Sequence, residues 1–374
     1  MDTVGLAIVG SAGVIGQSHT REILQMESAK LIGVHDIDTE VAKAQAQEHG
    51  VRFYQTLEDI LVDEDVDAIT IGIPHPLHRT IALQAFQAGK HVLTEKPITS
   101  SLTEADDMVA AARKAGVTLG VVFQHRFRPE IARMHELVET GALGGLYRTI
   151  LVQAAFRSQF YYDSGGWRGT WGKEGGGVLI NQSVHYLDLF QWLGGMPSVV
   201  HGLAGTLAHD IEVEDSASAV LEYENGAQGL IHCDTVQFPS QEQLELWGER
   251  GGVVLRNDEL THHKLDESIP EFNKRERTVA FGKPVSHEEP TGIEPRSSRH
   301  QDAIEDFAQA LIEGREPAVT GEEGIKSLEL IAAIYLSSCR GRPVRLPVDR
   351  SEYDELLEEL TGSGCESVHV ELDE

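Results

Sequence analysis

Three polar side chains follow a run of glycines in the segment GGGVLINQSVHYLD (175–188), at spacings that suit a helix. Asn181, His185 and Asp188 stand at positions i, i+4 and i+7, so a helix would carry them on one face. An imidazole exchanges a proton near neutral pH, and an amide can orient a ligand hydroxyl. The segment therefore predicts a helix that offers acid–base chemistry to a ligand. The alternative is a buried helix whose polar groups bond locally.

A second set of reactive groups follows two predicted buried strands. The segment GIPHPLH (72–78) ends one strand, and LTEKP (93–97) ends the next. Ligands of open parallel sheets bind beyond the carboxyl ends of the strands, which places Lys96 where a reacting group would lie. Pro97 keeps the backbone of Lys96 out of helical geometry. Lys96 is therefore a candidate for stabilising negative charge, with a solvated lysine at a strand end as the alternative.

Glycines also mark the first predicted strand–helix junction, GSAGVIG (10–16). Its spacing is G-x-x-G-x-x-G, because Ala12 holds the second glycine position of the usual G-x-G-x-x-G dinucleotide motif. Glycines let a backbone approach a pyrophosphate, and the start of a helix supplies N–H donors. Asp36 ends the second strand about 20 residues after Gly16, where a carboxylate accepts ribose hydroxyls and repels a 2′-phosphate. The junction therefore predicts NAD as the cofactor, with NADP possible.

Strand and helix patterns alternate along residues 1–125, which predicts a doubly wound parallel sheet of the Rossmann type. The contacts that we expect with the dinucleotide come from its strand ends: Gly10, Ala12, Gly13, Val14, Ile15, Asp36, Ile73, Pro74, His78, Glu95 and Lys96.

After residue 125 the apolar pattern changes to a two-residue period, which predicts antiparallel strands covered by helices over residues 126–347. One helix is expected at 181–193. The polar segment 257–298 is predicted to be a long loop or lid, with His262 and His263 in solvent. Residues 348–374 are predicted to form an acidic C-terminal extension.

The composition is strongly acidic, with 31 basic and 60 acidic residues and a formal net charge of −29. Such a charge excludes binding to nucleic acid or to an anionic membrane through the bulk field. It favours a protein of a high-salt environment, with an ordinary acidic cytoplasmic protein as the alternative. No apolar run reaches membrane-spanning length. The three cysteines form neither a disulfide framework nor a metal motif, so we expect a cytoplasmic protein without metal.

Four segments in order, GSAGVIG, LTEKP, QHRFRP (124–129) and GGGVLINQSVHYLD, resemble the glucose–fructose oxidoreductase/inositol dehydrogenase (Gfo/Idh/MocA) family over residues 4–347. The resemblance implies a Rossmann domain followed by an α/β domain with a large, open, mostly antiparallel sheet. That sheet often joins subunits in the family, which implies a homodimer or homotetramer. The resemblance also implies a cis Lys96–Pro97 bond.

The resemblance assigns roles to individual residues. Lys96 matches the lysine that contacts substrate hydroxyl and cofactor, and His185 matches the catalytic acid–base. Asn181 stands where many members have Asp, so a proton relay through it is not expected. Asp188 either holds the imidazole or is a structural acid. The candidate substrate contacts are Asn181, Gln182, Arg126, Tyr161, Trp167 and Arg168.

The expected activity is hydride transfer between a nicotinamide cofactor and a hydroxyl carbon of a sugar, cyclitol or sugar derivative. Two alternatives remain open. One is a reductase of keto- or anhydro-sugars, which runs the same chemistry backward. The other is a nucleotide- or sugar-sensing regulator without turnover, against which the presence of both Lys96 and His185 argues.

Overall fold

The computed structural model describes residues 2–362. The chain divides into two compact units. The first contains residues 2–124, 172–175 and 298–328, and the second contains 125–171, 176–297 and 329–362. Both units are therefore discontinuous in sequence. Within the described residues, no helix combines the length and apolarity that a membrane span requires.

The first unit is built on a six-stranded sheet whose strand order is β3-β2-β1-β4-β5-β6. Its strands are β1 (Val4–Val9), β2 (Ala29–His35), β3 (Arg52–Phe53), β4 (Ala68–Ile71), β5 (His91–Thr94) and β6 (Leu119–Val121). The helices between them are α1 (Val14–Ile23), α2 (Thr39–His49), α3 (Leu57–Leu61), α4 (His78–Gln87) and α5 (Leu102–Ala115). All neighbouring strands are parallel. The order reverses between β1 and β4, the place where such sheets bind nucleotides.

The strands of this sheet are apolar on both faces because helices cover both sides. Every residue of β1 and β4 is buried. The parallel doubly wound sheet predicted from the alternating pattern is thus confirmed. The Lys96–Pro97 bond, which follows β5, is cis.

The second unit is built on a nine-stranded sheet of order β14-β13-β12-β11-β7-β10-β9-β8-β15. Its strands are β7 (Leu146–Ala154), β8 (Val199–Gly205), β9 (Ser216–Glu222), β10 (Gln228–Asp234), β11 (Gln241–Gly248), β12 (Gly251–Arg256), β13 (Glu259–Leu265), β14 (Ser286–Pro290) and β15 (Val344–Arg345). Only the β7–β10 pair is parallel, so the predicted, mostly antiparallel sheet is confirmed.

Five helices lie between residues 129 and 275: α6 (Pro129–Glu139), α7 (Gln159–Asp163), α8 (Trp171–Glu174), α9 (Val184–Gly194) and α10 (Ile269–Arg275). Burial alternates along β9, so one face of the sheet is packed. The other face leaves Leu203 71%, Val220 49% and Leu230 44% exposed.

The prediction of a loop over 257–298 was wrong, because this segment contains β13, α10 and β14. Asn257 and Asp258 have φ angles of 45° and 70°, as a two-residue hairpin turn requires, so the sheet continues through them. His262 is buried on β13 rather than solvated, and His263 stacks on Trp247 with 5.3 Å between ring centres.

Three helices follow residue 298: α11 (His300–Glu313), α12 (Gly321–Arg340) and α13 (Arg350–Gly362). The chain before α12 returns to the first unit, where the Val121 amide donates to the Val319 carbonyl at 3.2 Å. The expected acidic extension begins with α13, which buries Tyr353, Leu356 and Leu360. The remainder of that extension, 363–374, lies outside the described residues.

Candidate active site

The glycine-rich junction between β1 and α1 is shaped by close backbone approach. A Cβ atom on Gly10 would overlap Ile73, and one on Gly16 would overlap the Gly10 carbonyl, so the fold itself requires these two glycines. At Gly13 the nearest atom to such a Cβ would lie 3.7 Å away, which leaves open backbone at the start of α1. Gly13 is thus the glycine that can admit a phosphate.

Asp36 links β2 to this junction. Its Oδ2 accepts the Ala12 amide at 2.8 Å and its Oδ1 accepts the Asp38 amide at 2.9 Å. Each carboxylate oxygen can accept a further hydrogen bond, so both remain available to a ribose diol. Two apolar side chains of this region are exposed: Val14, the first residue of α1, is 83% exposed, and Ile37, which follows Asp36, is 97% exposed. Exposed apolar side chains at such a position are typical of a surface that a ligand covers, and Ile37 was not among the predicted contacts.

Asp36→Asn should move cofactor preference toward NADP. The substitution keeps an oxygen for the Ala12 amide but removes the charge that repels a 2′-phosphate. We expect the NAD:NADP ratio of kcat/KM to fall by about 10- to 100-fold, since like charges in contact cost a few kcal/mol. Glu48→Gln removes an exposed charge from α2 and is the matched control. An unchanged ratio in Asp36→Asn would contradict the assignment.

Lys96 lies beside a buried cluster of charged groups. The carboxylate of Glu95 contacts His19 Nε2 at 3.1 Å and His300 Nε2 at 3.7 Å. Burial alone would raise the pKa of Glu95, but the hydrogen bond from His19 and the nearby cations lower that pKa to about 2. Burial lowers the pKa of Lys96, whereas Glu95 and Glu174 oppose that shift. The lysine is thus a partly desolvated ammonium group balanced by carboxylates.

The same cluster has the composition of a metal site. One ligand atom from each of His19, Glu95 and His300 lies within 4.8 Å of the others. Two imidazoles and a carboxylate can hold a divalent metal, but the His19–Glu95 hydrogen bond accounts for the approach of those two groups without one. The absence of a metal stays a prediction. Positions so far apart in sequence carry no ligand-spacing signal.

His78 supports the cofactor region from inside the protein. It is fully buried, with Nε2 at 2.8 Å from the Ile73 carbonyl and Nδ1 at 3.2 Å from the Ile98 carbonyl. Its ring therefore holds the turn that carries Ile73 and Pro74. All three residues are predicted dinucleotide contacts, and the burial of His78 leaves Ile73 and Pro74 to meet the ligand directly.

In the second unit, Glu214 organises the turn that follows the three glycines. Its carboxylate accepts the amides of Gly177 and Leu179, both at 2.9 Å, and the Tyr335 hydroxyl at 2.8 Å. A Cβ atom on Gly176 would overlap the Tyr335 hydroxyl, and one on Gly177 would overlap the Glu214 carbonyl. Gly176 and Gly177 are thus required by close packing in this turn.

Asn181 and Gln182 lie on this turn rather than on a helix. The Asn181 amide donates to the Gly177 carbonyl at 3.1 Å, and the Ser183 amide donates to the Val178 carbonyl at 2.8 Å. The predicted helix start at 181 was therefore wrong, since α9 begins at Val184. The tight turn ends at Ser183, whose hydroxyl donates to the Gln153 side chain on β7 instead of capping the helix.

Glu214→Gln should change how stability depends on pH. Burial raises the pKa of Glu214 from 4.5 to about 7, so the folded state binds this proton more tightly than the unfolded state. Stability from this group is complete below pH 4.5 and declines as the pH rises to about 7. Relative to the variant, the wild type should lose about 3 kcal/mol of unfolding free energy across that window.

Urea unfolding at fixed KCl between pH 4.5 and 7.5 measures this difference. Glu224→Gln changes an exposed acid in a hairpin turn and should keep the wild-type pH dependence. Parallel wild-type and Glu214→Gln curves would show that Glu214 is ionised throughout.

His185, on the first turn of α9, stacks on a second histidine. The ring centres of His125 and His185 are 4.4 Å apart with an interplanar angle of 15°. His125 also meets the ring of Tyr186 edge-on at 5.4 Å. The stack fixes the plane of the His185 imidazole. His125 was missed as a functional candidate, although it stands in the QHRFRP segment.

Asp188, on the next turn of α9, pairs with Arg126 from outside the helix. Arg126 donates to it through Nε at 2.8 Å and through Nη2 at 2.6 Å, and its guanidinium lies 4.7 Å from the Trp192 ring centre. Both charged side chains are buried. This pairing favours the structural alternative for Asp188, and it gives Arg126 the role of anchoring α9.

The remaining substrate candidates are grouped around Tyr161. The side-chain amides of Asn181 and Gln182 donate to the Tyr161 hydroxyl at 3.4 and 3.1 Å. The Arg168 guanidinium lies 4.4 Å from the Tyr161 ring centre and 5.0 Å from that of Trp167. The structure therefore brings five of the six predicted substrate contacts into one cluster.

Comparison with known proteins accounts for both units. A family model described as an oxidoreductase family with an NAD-binding Rossmann fold matches residues 4–123, and a model of the GFO/IDH/MocA C-terminal domain matches residues 131–254. The chain belongs to the Gfo/Idh/MocA oxidoreductase family. Membership confirms the resemblance seen in the four sequence segments, and it confirms NAD as the cofactor class of the first unit.

Named relatives match most of the chain. D-apiose dehydrogenase of Paraburkholderia graminis is 27% identical, over 91% of this chain and 89% of that protein. scyllo-Inositol 2-dehydrogenase (NAD(+)) of Bacillus subtilis is 25% identical, over 93% and 98%. The solved structure of the WlbA dehydrogenase from Bordetella pertussis, in complex with NADH and UDP-GlcNAcA, is 30% identical over 93% and 100%, with a TM-score of 0.80.

Proposed function

We propose that this oxidoreductase transfers a hydride between NAD and a hydroxyl carbon of a sugar, cyclitol or sugar derivative. The observation that carries the proposal is the cluster of amide, phenol and guanidinium groups around Tyr161, in the unit that also carries His185. Such groups donate and accept the hydrogen bonds that a polyol requires. The named sugar and inositol dehydrogenases among the relatives support the same substrate class.

In the proposed reaction, the hydroxyl group becomes a carbonyl group. The O–H proton passes to His185, which acts as general base. Stacking on His125 orients the His185 ring for this role. Lys96 stabilises the negative charge that develops on the oxygen, and Asn181 and Gln182 orient neighbouring hydroxyls. Bound NAD supplies the hydride acceptor. The reverse reaction uses the same groups and corresponds to a carbonyl reductase.

The test is nicotinamide absorbance with the purified full chain, at low and at molar KCl. NAD and NADP are each offered with aldoses, cyclitols and sugar acids, and NADH is offered with the corresponding carbonyl compounds. Turnover of at least one substrate is expected. NADH binding seen by fluorescence, without turnover in either direction, would instead support the sensing regulator.

We also propose the setting in which the enzyme works. The net charge of −29 supports a cytoplasm of high salt, where screening removes self-repulsion. The apolar side chains exposed on β8, β9 and β10 support a homodimer or homotetramer built on the nine-stranded sheet. Light scattering after size-exclusion chromatography in KCl measures the assembly.

A further inference from the structure

Two arginines of the Tyr161 cluster stand apart from the other arginines of this acidic chain. Acidic residues outnumber basic ones 60 to 31, and most described arginines contact a carboxylate. Across residues 2–362, neither Arg157 nor Arg168 has a carboxylate within 4 Å. Arg21, Arg277 and Arg345 share that property but are exposed, as solvated cations should be, whereas Arg157 and Arg168 are part-buried.

Both guanidinium groups lie against the same aromatic ring. Arg157 is 5.2 Å and Arg168 is 4.4 Å from the ring centre of Tyr161. Their hydrogen bonds to protein are few. Arg157 Nη1 donates to the carbonyls of Ala155 and Phe156 at 3.3 and 2.9 Å, and Arg168 Nη1 donates to the Tyr161 carbonyl at 3.5 Å. Because a guanidinium carries five N–H donors, most of them remain for a ligand.

The position of Arg168 is fixed by packing. The Arg168 side chain folds back over Gly165, where a Cβ atom would lie 2.7 Å from Arg168 Nη1. The lack of a side chain at Gly165 therefore makes space for the guanidinium. The Arg168 Nε is buried and has no acceptor among the described residues. Asp163, the nearest acid in sequence, instead accepts Gln159 at 3.0 Å. A pre-oriented guanidinium with spare donors and no acidic partner is suited to an oxyanion.

We infer that Arg157 and Arg168 bind an anionic group of the substrate, so that the preferred substrates are acidic sugars. The inference rests on the proposed function, because Tyr161 joins these arginines to Asn181 and Gln182, which we assign to the sugar hydroxyls. A carboxylate and a phosphate offer the same oxygen acceptors to a guanidinium. The chemical class is therefore a sugar that carries a carboxylate or a phosphate, as a uronic acid or a nucleotide-linked sugar does.

The experiment compares matched probes with the full-length enzyme at one KCl concentration. D-Glucose is the neutral probe, D-glucuronate adds a carboxylate, UDP-glucose adds a diphosphate, and UDP-glucuronate carries both. Binding to the NADH complex is followed by calorimetry and turnover by absorbance. The variants are Arg157→Gln and Arg168→Gln, with Arg277→Gln as the control for loss of one positive charge.

We expect an acidic probe to bind at least about 10-fold more tightly than D-glucose, and Arg168→Gln to remove about 10- to 100-fold of that affinity. Arg277→Gln should leave the preference unchanged. The responses to D-glucuronate and UDP-glucose distinguish carboxylate from phosphate. Equal binding of neutral and acidic probes, or a preference that survives both variants, would overturn the inference.

The two proposals can fail separately. Turnover of neutral sugars without an anion preference would leave the dehydrogenase standing and remove the anion site. Arginine-dependent binding of an acidic probe without turnover in either direction would keep the anion site and remove the dehydrogenase.

Discussion

Replacing Lys96 by Met should lower kcat for NAD reduction by about 10²- to 10⁴-fold, the range for loss of one oxyanion-stabilising or acid–base group. Met keeps most of the side-chain volume but cannot stabilise an alkoxide. The positive charge would disappear beside Glu95 and Glu174, whose carboxylates oppose the effect of burial on the pKa of Lys96 in the wild type. Steady-state nicotinamide absorbance, with the best substrate among the aldoses, cyclitols and sugar acids, measures the loss.

The control is Lys114→Met, which removes an exposed lysine at the end of α5 in the same unit. It should retain wild-type kcat. NADH fluorescence should show that both variants still bind the dinucleotide, which separates a catalytic defect from a lost fold. A Lys96→Met enzyme with more than about a tenth of wild-type kcat would contradict the electrostatic role.

Replacing His185 by Asn should have an effect of similar size on kcat/KM, about 10²- to 10⁴-fold. Asn retains a polar side chain on the first turn of α9 but cannot accept the substrate proton. The stack with His125 would also be lost, although the Arg126–Asp188 pair still anchors the helix. The wild-type rate of oxidation should fall at acid pH, because a protonated imidazole cannot act as a base. The variant should lack that limb of the pH profile.

His287→Asn is the matched control, because His287 is exposed on β14 and pairs with Asp266 at the surface. Its pH profile should match that of the wild type. His125→Asn tests the stacking directly: we expect a smaller loss, with the acid limb retained. An acid limb that persists in His185→Asn would assign the base to another residue.

The parts of the fold that could be predicted are those with local signals. GSAGVIG and the alternating strands and helices are enough for the parallel sheet, because each βα unit shows its apolar strand and its helical pattern within a short stretch of chain. The two-residue period from 146 to 256 likewise predicts most of the second sheet. The Asn257–Asp258 turn was missed because its residues are followed by a polar strand, which resembles a loop in composition.

The candidate site was predictable as a set of residues but not as an arrangement. The three glycines mark the turn, yet its brace, Glu214, comes from a distant strand end and has no signal of its own. The predicted start of α9 at 181 differs from the observed start at 184 for the same reason, since the hydrogen bonds from Gly177 and Leu179 to Glu214 hold these residues in a turn. The Arg126–Asp188 pair joins residues that are 62 positions apart, so only the folded chain shows why Arg126 is held.

The discontinuous first unit sets the order in which this protein can be made. β6 is the edge strand of the six-stranded sheet, and its Gly120 and Val121 are covered by Thr320 and Val319. A ribosome makes β6 long before residues 319–320, so the nascent chain carries an open strand edge while residues 125–297, most of the second unit, are synthesised. Open edges pair with other chains. A chain that terminates before residue 319 would therefore contain the glycine-rich junction between β1 and α1, but the open edge of its β6 would be prone to aggregation.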